Sequence, residues 1–180
     1  MSKSTWILAL AVTLLAADVP RADAKVAAPP ARGDDSKRKS KNGKADGTVG
    51  GVRVLVQYGR PEVRGRKVFG ELVSWGKLWR AGANEATTVT FYRDAKVEGR
   101  KIKAGSYALF AVPGKKKWVF VFNKQPKQWG AYKHDKGKDA LRVTVKPKAS
   151  KHTEALTFDV GKKKVTLRWA KVSVGFRVSR

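Results

Sequence analysis

Near the end of the chain, Val172, Val174, Phe176 and Val178 alternate with Ser173, Gly175, Arg177 and Ser179. A two-residue period admits one regular structure, a strand with one face buried and one wet; a helix would scatter these apolar side chains around its surface. The same period runs through Leu141–Val145 and Val165–Trp169. Val52–Gln57, Thr87–Tyr92, Tyr107–Val112, Trp118–Phe122 and Leu156–Val160 bring the candidates to eight. Trp118–Phe122 is apolar on both faces, which predicts a central strand. Pro113-Gly114-Lys115 and Gly161 with the lysines after it are turn signals. No helical period of adequate length competes; at most a helical turn sits near Phe69–Val73. The expected fold is all-β: one antiparallel β-sandwich or jelly-roll-like domain of about eight strands over residues 51–180.

The segments before it have other characters. Lys3 is followed by a nearly unbroken apolar run, Trp6–Ala17, and then by Ala22-Asp23-Ala24. A bilayer span needs about 20 apolar residues. The shorter run, with small residues behind it, predicts a secretory signal peptide over 1–24 cleaved after Ala24, hence export to the periplasm or beyond and no membrane span in the mature chain. Residues 25–50 contain Pro29-Pro30 and Lys37-Arg38-Lys39-Ser40-Lys41-Asn42-Gly43-Lys44, and read as a disordered basic linker.

Charge narrows the partners. The net charge is +26, and the 31 basic and 9 acidic residues of 51–180 leave +22 on the domain itself. Lysine triplets Lys115, Lys116, Lys117 and Lys162, Lys163, Lys164 fall at hairpin tips and form a candidate polyanion surface. Such a field draws anions over a Debye length, about 8 Å at physiological salt. Weak nucleic-acid or lipopolysaccharide binding is therefore one expected behaviour. Cysteine is absent and only His134 and His152 are present. That excludes a disulfide framework, thiolate chemistry and a three-histidine metal site; no metal and no cofactor is expected.

The long stretch between the first two candidate strands is different in kind. Arg60, Arg64 and Arg66 fall within seven residues, followed by Trp75, Trp79-Arg80 and Asn84-Glu85. Arginine presents a planar fork that matches carboxylate and phosphate. Together with Trp129 in Gln128–Tyr132, these residues are the candidate ligand site for an anionic small molecule or an acidic envelope sugar. The competing reading is scaffold, in which arginine, glutamate and tryptophan satisfy one another inside a long loop. Arg80, Asn84 and Glu85 are expected to be mostly buried, Glu85 on an arginine or backbone amides and Asn84 on loop backbone.

Tyr58 to Phe91, reading YGRPEVRGRKVFGELVSWGKLWRAGANEATTVTF, resembles the core signature of a bacterial exported family catalogued as domain of unknown function 2911. The likeness continues through GSYALFAVPG, WVFVFNK, QWGAY and DALRVTVKP, and so covers roughly the whole of 51–178. Its motif residues here are Arg60, Pro61, Gly65, Arg66, Gly70, Trp79, Arg80, Gly82, Asn84, Glu85, Trp129 and Gly130. The resemblance implies a secreted or periplasmic β-rich domain and supplies no reaction. Ser74-Trp75 departs from the family pattern, where proline and tyrosine are common, and so does His134.

The leading expectation is an exported, non-catalytic binding module. The alternatives are a carboxylate-dependent hydrolase of envelope carbohydrate with Glu85 as acid or base, and a non-specific polyanion binder. No catalytic residue is assigned. His134-Asp135 and His152 read as surface.

Overall fold

The computed structural model describes residues 26–180, so the expected signal peptide lies outside the described residues. Among the described residues, ten strands form two antiparallel sheets. They are β1 Lys41–Val49, β2 Val52–Arg60, β3 Thr87–Phe91, β4 Ala95–Val97, β5 Arg100–Ile102, β6 Gly105–Val112, β7 Trp118–Asn123, β8 Asp139–Val145, β9 Lys148–Val160 and β10 Lys164–Ser179. The six-stranded sheet runs β1-β2-β3-β6-β7-β8 and the four-stranded sheet β5-β4-β10-β9. The chain is the expected all-β sandwich.

The alternating residues of the two sheets meet between the layers. Phe120 and Phe122 of β7 each set a ring edge-on to Phe176 of β10, with centroids 5.2 Å apart. Trp118 and Trp169 are the largest fully buried side chains. The outer face of the six-stranded sheet carries a second apolar cluster, Ala86, Ala108, Phe110 and Val121, packed by Leu78, Val119 and Ala131. This explains why β7 is apolar on both faces. His134 belongs to that cover rather than to a free surface. Its ring is edge-on to Phe110 and its Nε2 lies 2.8 Å from Asp139 Oδ1.

Two expectations are corrected. Residues 41–49 are not linker: β1 pairs antiparallel with β2 from Lys41↔Arg60 to Val49↔Val52. Its inward side is Gly43, Ala45, Gly47 and Val49. The small residues are required there, because a Cβ on Gly43 would lie 2.7 Å from the Tyr58 ring and one on Gly47 3.2 Å from Val160. Hydropathy does not register a strand whose buried face is glycine and alanine. The second correction is that Val165–Trp169 and Val172–Val178 are one strand, β10. Its buried phase slips by one residue at Ala170, which has φ 50°, and the β9 ladder shifts register on either side of it. A bulge of this kind bends the strand and resets which face is buried.

The ends of the sandwich matter for the site. The turn at Gly50-Gly51 bonds the β9–β10 hairpin through Gly50 N–H to Lys162 O, 2.9 Å. The β6–β7 turn, carrying Lys115–Lys117, is at the other end with the start of β3 and the close of β2. The two lysine triplets therefore sit at opposite ends and form no single patch.

Gly59, near the end of β2, fixes how closely the site loop approaches the sheet, since a Cβ there would collide with the backbone carbonyl of Ala83. Gly59→Ala is expected to cost about 2–3 kcal/mol in urea unfolding, as backbone clashes must be relieved by shifting packed elements. Gly65→Ala, where nothing lies within 4 Å but φ is +67°, is expected to cost about 1 kcal/mol. Equal losses would mean that the close approach at Gly59 is not limiting.

Candidate functional site

The long segment between β2 and β3 is pinned rather than loose. Pro61 to Val63 run beside β9: Leu156 N–H donates to Pro61 O at 2.9 Å and Val63 N–H to Glu154 O at 2.9 Å. The chain then reverses through Arg64 (φ 50°) and Gly65 (φ 67°), closed by Arg66 N–H to Val63 O at 3.1 Å. Glycine suits the second of these positions, where the φ values are those of a mirror-image turn. The Arg66 guanidinium folds back on its own turn, donating to Val63 O at 2.9 Å and Glu62 O at 2.5 Å. Arg64 Nε donates to Glu62 Oε2 at 2.9 Å. Farther along, Trp79 pairs its backbone with Ala111 and donates its indole N–H to Gly82 O at 3.2 Å. Its ring stacks on Trp169 at 5.8 Å and 16°.

These elements enclose a cavity of about 410 Å³. Arg64, Arg66, Arg80 and Lys39 bring four cations to it against one carboxylate, Glu62; Trp79, Trp169, Leu72 and Pro61 supply its apolar wall. Glu62 is engaged by Arg64. Arg80 is half-buried, has no carboxylate partner among the described residues, and its Nε is buried without a hydrogen bond there. A partly desolvated cation lacking a counter-charge favours an anionic occupant, because burial without a partner is costly.

Four of the candidate ligand residues, Arg64, Arg66, Trp79 and Arg80, are thus brought together. The other four are not in the cavity wall. Arg60 is exposed at the end of β2 and donates to Leu156 O at 3.4 Å. Asn84, with φ 63°, donates through Nδ2 to Ser40 O at 3.1 Å. Glu85 and Trp129 line a separate space of about 320 Å³ together with Pro30, Arg32 and Thr88.

Glu85 is held by residues that precede β1. Its carboxylate accepts from Gly33 N–H at 3.0 Å, from Arg32 Nη2 at 3.1 Å, and from Arg38 Nη1 at 2.9 and 2.8 Å. Arg32 also reaches Ala83 O and Ala86 O, and Arg38 lies 5.6 Å from the Trp129 ring centre. Asn42 closes the segment on itself, donating to Gly33 O at 3.0 Å and accepting from Arg32 Nε at 2.9 Å. Residues 30–40 are therefore an arm laid across the start of β3. This corrects the linker expectation a second time. Arg80, Asn84 and Glu85 are half-buried rather than mostly buried; Asn84 and Glu85 are covered by the arm rather than the core, and the Glu85 side chain keeps 23% exposure. The arginines on Glu85 are Arg32 and Arg38, and Asn84 bonds backbone, as Ser40 O.

Lys39, Trp169, Arg32 and Arg38 escaped the sequence reading. Trp169 is an inward residue of an alternating strand and reads as core. The arm's three residues sit in a stretch whose composition signals disorder, and Glu85, the partner of Arg38 and Arg32, lies 47 and 53 positions away from them.

Burial alone would raise the Glu85 carboxyl. The hydrogen bonds from its own backbone N–H, from Gly33 and from Arg38, with the charge of Arg32, outweigh it and hold the pKa below the ordinary glutamate range. A proton donor needs the opposite shift. A depressed folded pKa means that stabilisation is present above the unfolded value, about 4.3, and lost as pH falls through the folded one. The protection of residues 30–40 against hydrogen exchange, taken relative to the intrinsic rate at each pH, is therefore expected to be high at pH 7 and to fall more than that of β6 and β7 below about pH 4. Glu85→Gln is expected to loosen the arm at pH 7 and to cost about 2 kcal/mol, the scale of hydrogen bonds to a charged group. An arm whose protection is the same at both pH values would contradict the clamp.

A search of curated proteins and of solved structures finds no match. A family model described as a protein of unknown function, DUF2911, matches residues 40–178. The match begins at the first residue before β1 and ends within β10, so it takes in both sheets, the arginine turn, Trp79-Arg80 and Trp129. The chain belongs to the DUF2911 family.

Proposed function

We propose that the chain is an exported, non-catalytic binding module whose cavity takes a small anion or an acidic sugar. The observation that carries the reading is the half-buried Arg80, without a carboxylate partner among the described residues, in a cavity of about 410 Å³ that also holds Lys39, Arg64 and Arg66. A phosphate or carboxylate gives the Arg80 guanidinium its missing acceptor. The Trp79–Trp169 stack and Leu72 offer an apolar wall against which the carbon skeleton of a sugar acid packs. The cavity is of the size that small-molecule sites have, roughly 300–1,000 Å³. The apolar run and small-residue site of residues 1–24 support export.

Glu85 enters this function indirectly. It holds the arm, and the arm brings Lys39 and Ser40 to the cavity edge. The hydrolase alternative receives no comparable support: Glu85 is surrounded by three donors and Glu62 by Arg64.

Thermal unfolding with inorganic phosphate, glucuronate, galacturonate and a neutral hexose tests the reading. At 100 times its dissociation constant a ligand adds about 2.7 kcal/mol, which raises the midpoint of a domain this size by about 5–10 °C. The acidic compounds are expected to do this and the neutral hexose not. Arg80→Ala is expected to abolish the shift while leaving the unliganded midpoint within about 3 °C, since the arginine makes no ion pair among the described residues. No shift from any of the anions, or an undiminished shift in Arg80→Ala, would overturn the assignment. Intact mass of the exported protein is expected to show a chain starting at Lys25.

A further inference from the structure

Four large apolar side chains are exposed among the described residues: Leu72 at 46%, Trp75 at 36%, Trp129 at 56% and Tyr132 at 83%. Scattered singly they would be ordinary surface. They are not scattered. Leu72 and Trp75 lie in the loop before Trp79, and Trp129 and Tyr132 in the loop between β7 and β8. The two loops meet at Arg80, whose Nη1 is 3.6 Å from where a Cβ on Gly130 would sit. Gly130 N–H also donates to Asn84 O at 3.2 Å, and Gly76 N–H to Pro113 O at 2.7 Å. That second bond joins the apolar loop to the β6–β7 turn, so Lys115, Lys116 and Lys117 share the same end. Lys77 and Lys133, both exposed, flank the aromatics within the two loops. The nearby acids are engaged: Glu71 pairs with Lys67 at 3.0 Å, and Asp135 accepts from Gly137 N–H at 2.8 Å.

We propose that this end of the sandwich docks on an anionic lipid surface. Trp129, Tyr132 and Leu72 enter the headgroup layer, and Lys115–Lys117 and Lys133 face the lipid phosphates. Exposed tryptophan and tyrosine beside lysines is the combination that interfacial binding uses, an apolar body in the headgroup region with cations drawn by the negative surface. Single-stranded nucleic acid fits less well. Stacking of bases needs free ring faces, and here Phe69 lies 6.0 Å from Trp75 and Arg38 5.6 Å from the Trp129 ring. Leu72 offers a base nothing and a lipid layer an apolar contact. The docking goes beyond the cavity reading and does not require it: a soluble anion occupies the cavity with or without a membrane, and the aromatics reach lipid whether or not the cavity is filled.

Co-sedimentation and tryptophan emission with vesicles test it. Vesicles of about one-third phosphatidylglycerol in phosphatidylcholine are expected to bind the protein at low salt with a blue-shifted emission, and vesicles of phosphatidylcholine alone not to. The double variant Trp129→Ser, Tyr132→Ser removes exposed side chains and is expected to keep the wild-type unfolding midpoint while losing about tenfold in partitioning. Replacing Lys115, Lys116 and Lys117 by serine is expected to cost more than replacing Lys162, Lys163 and Lys164 at the opposite end. Arg64→Ala, in the cavity wall and not at the meeting of the two loops, is expected to leave vesicle binding within about twofold, which separates this proposal from the cavity's own ligand. Absence of binding to anionic vesicles at low salt overturns the proposal. So does binding that the aromatic double variant leaves unchanged, or equal losses from the two lysine triplets. A thymidine oligomer whose binding depends on Trp129 while vesicle binding does not would also overturn it.

Discussion

The Glu85 carboxylate, one residue from buried Ala86, is the point at the start of β3 on which the segment before β1 is held. It accepts from Arg32, Arg38 and the Gly33 amide. Ordering some ten residues of a polar, basic segment costs backbone entropy of about 1–2 kcal/mol each, and few apolar contacts are available to offset it. Charge-assisted hydrogen bonds to one half-buried carboxylate are the stronger kind, and they lie where the segment has to be held. Once anchored, the chain enters β1 in register with β2. The edge of the six-stranded sheet and the position of Lys39 at the cavity both follow from that anchor.

The same anchor sorts the polar residues of the long loop into two groups. Glu85 and Asn84 face the arm and are consumed by it. Arg64, Arg66 and Arg80 are left around a space whose negative charge is limited to Glu62. The protein thus separates its carboxylates from part of its cations at one location. The Trp79–Trp169 stack joins this location to the core, because Trp169 belongs to β10 and Trp79 to the loop.

Strands with bulky alternating residues were legible from sequence: β2, β3, β6, β7 and β8 coincide closely with their apolar runs. β1 was not, since its inward residues Gly43, Ala45 and Gly47 carry a two-residue period in size rather than hydropathy. β4 and β5, of three residues each, are too short for any period. In β10 the change from buried odd positions, Val165, Leu167 and Trp169, to buried even ones, Val174, Phe176 and Val178, was visible. It suggested two strands because a break and a bulge leave the same trace. The site was legible by half. Arginine and tryptophan content located Arg64, Arg66, Trp79 and Arg80. Arg60 and Trp129 share that composition but are placed elsewhere, Arg60 by the end of β2 and Trp129 by its backbone bridge to Glu85. The arm itself was illegible, because its partner in space, Glu85, is some fifty residues distant and nothing in its composition signals order.

The dependence of the assembly on the Glu85 anchor is open to a double-mutant cycle, with Arg38→Ala and Glu85→Gln alone and together, read by equilibrium urea unfolding. Arg38 and Glu85 touch, so their effects should be non-additive. The anchor predicts a coupling of about 1–2 kcal/mol, the double variant losing little more than either single one. Additive losses, with coupling under about 0.3 kcal/mol, would contradict it and leave the arm as a segment that merely rests on the sheet.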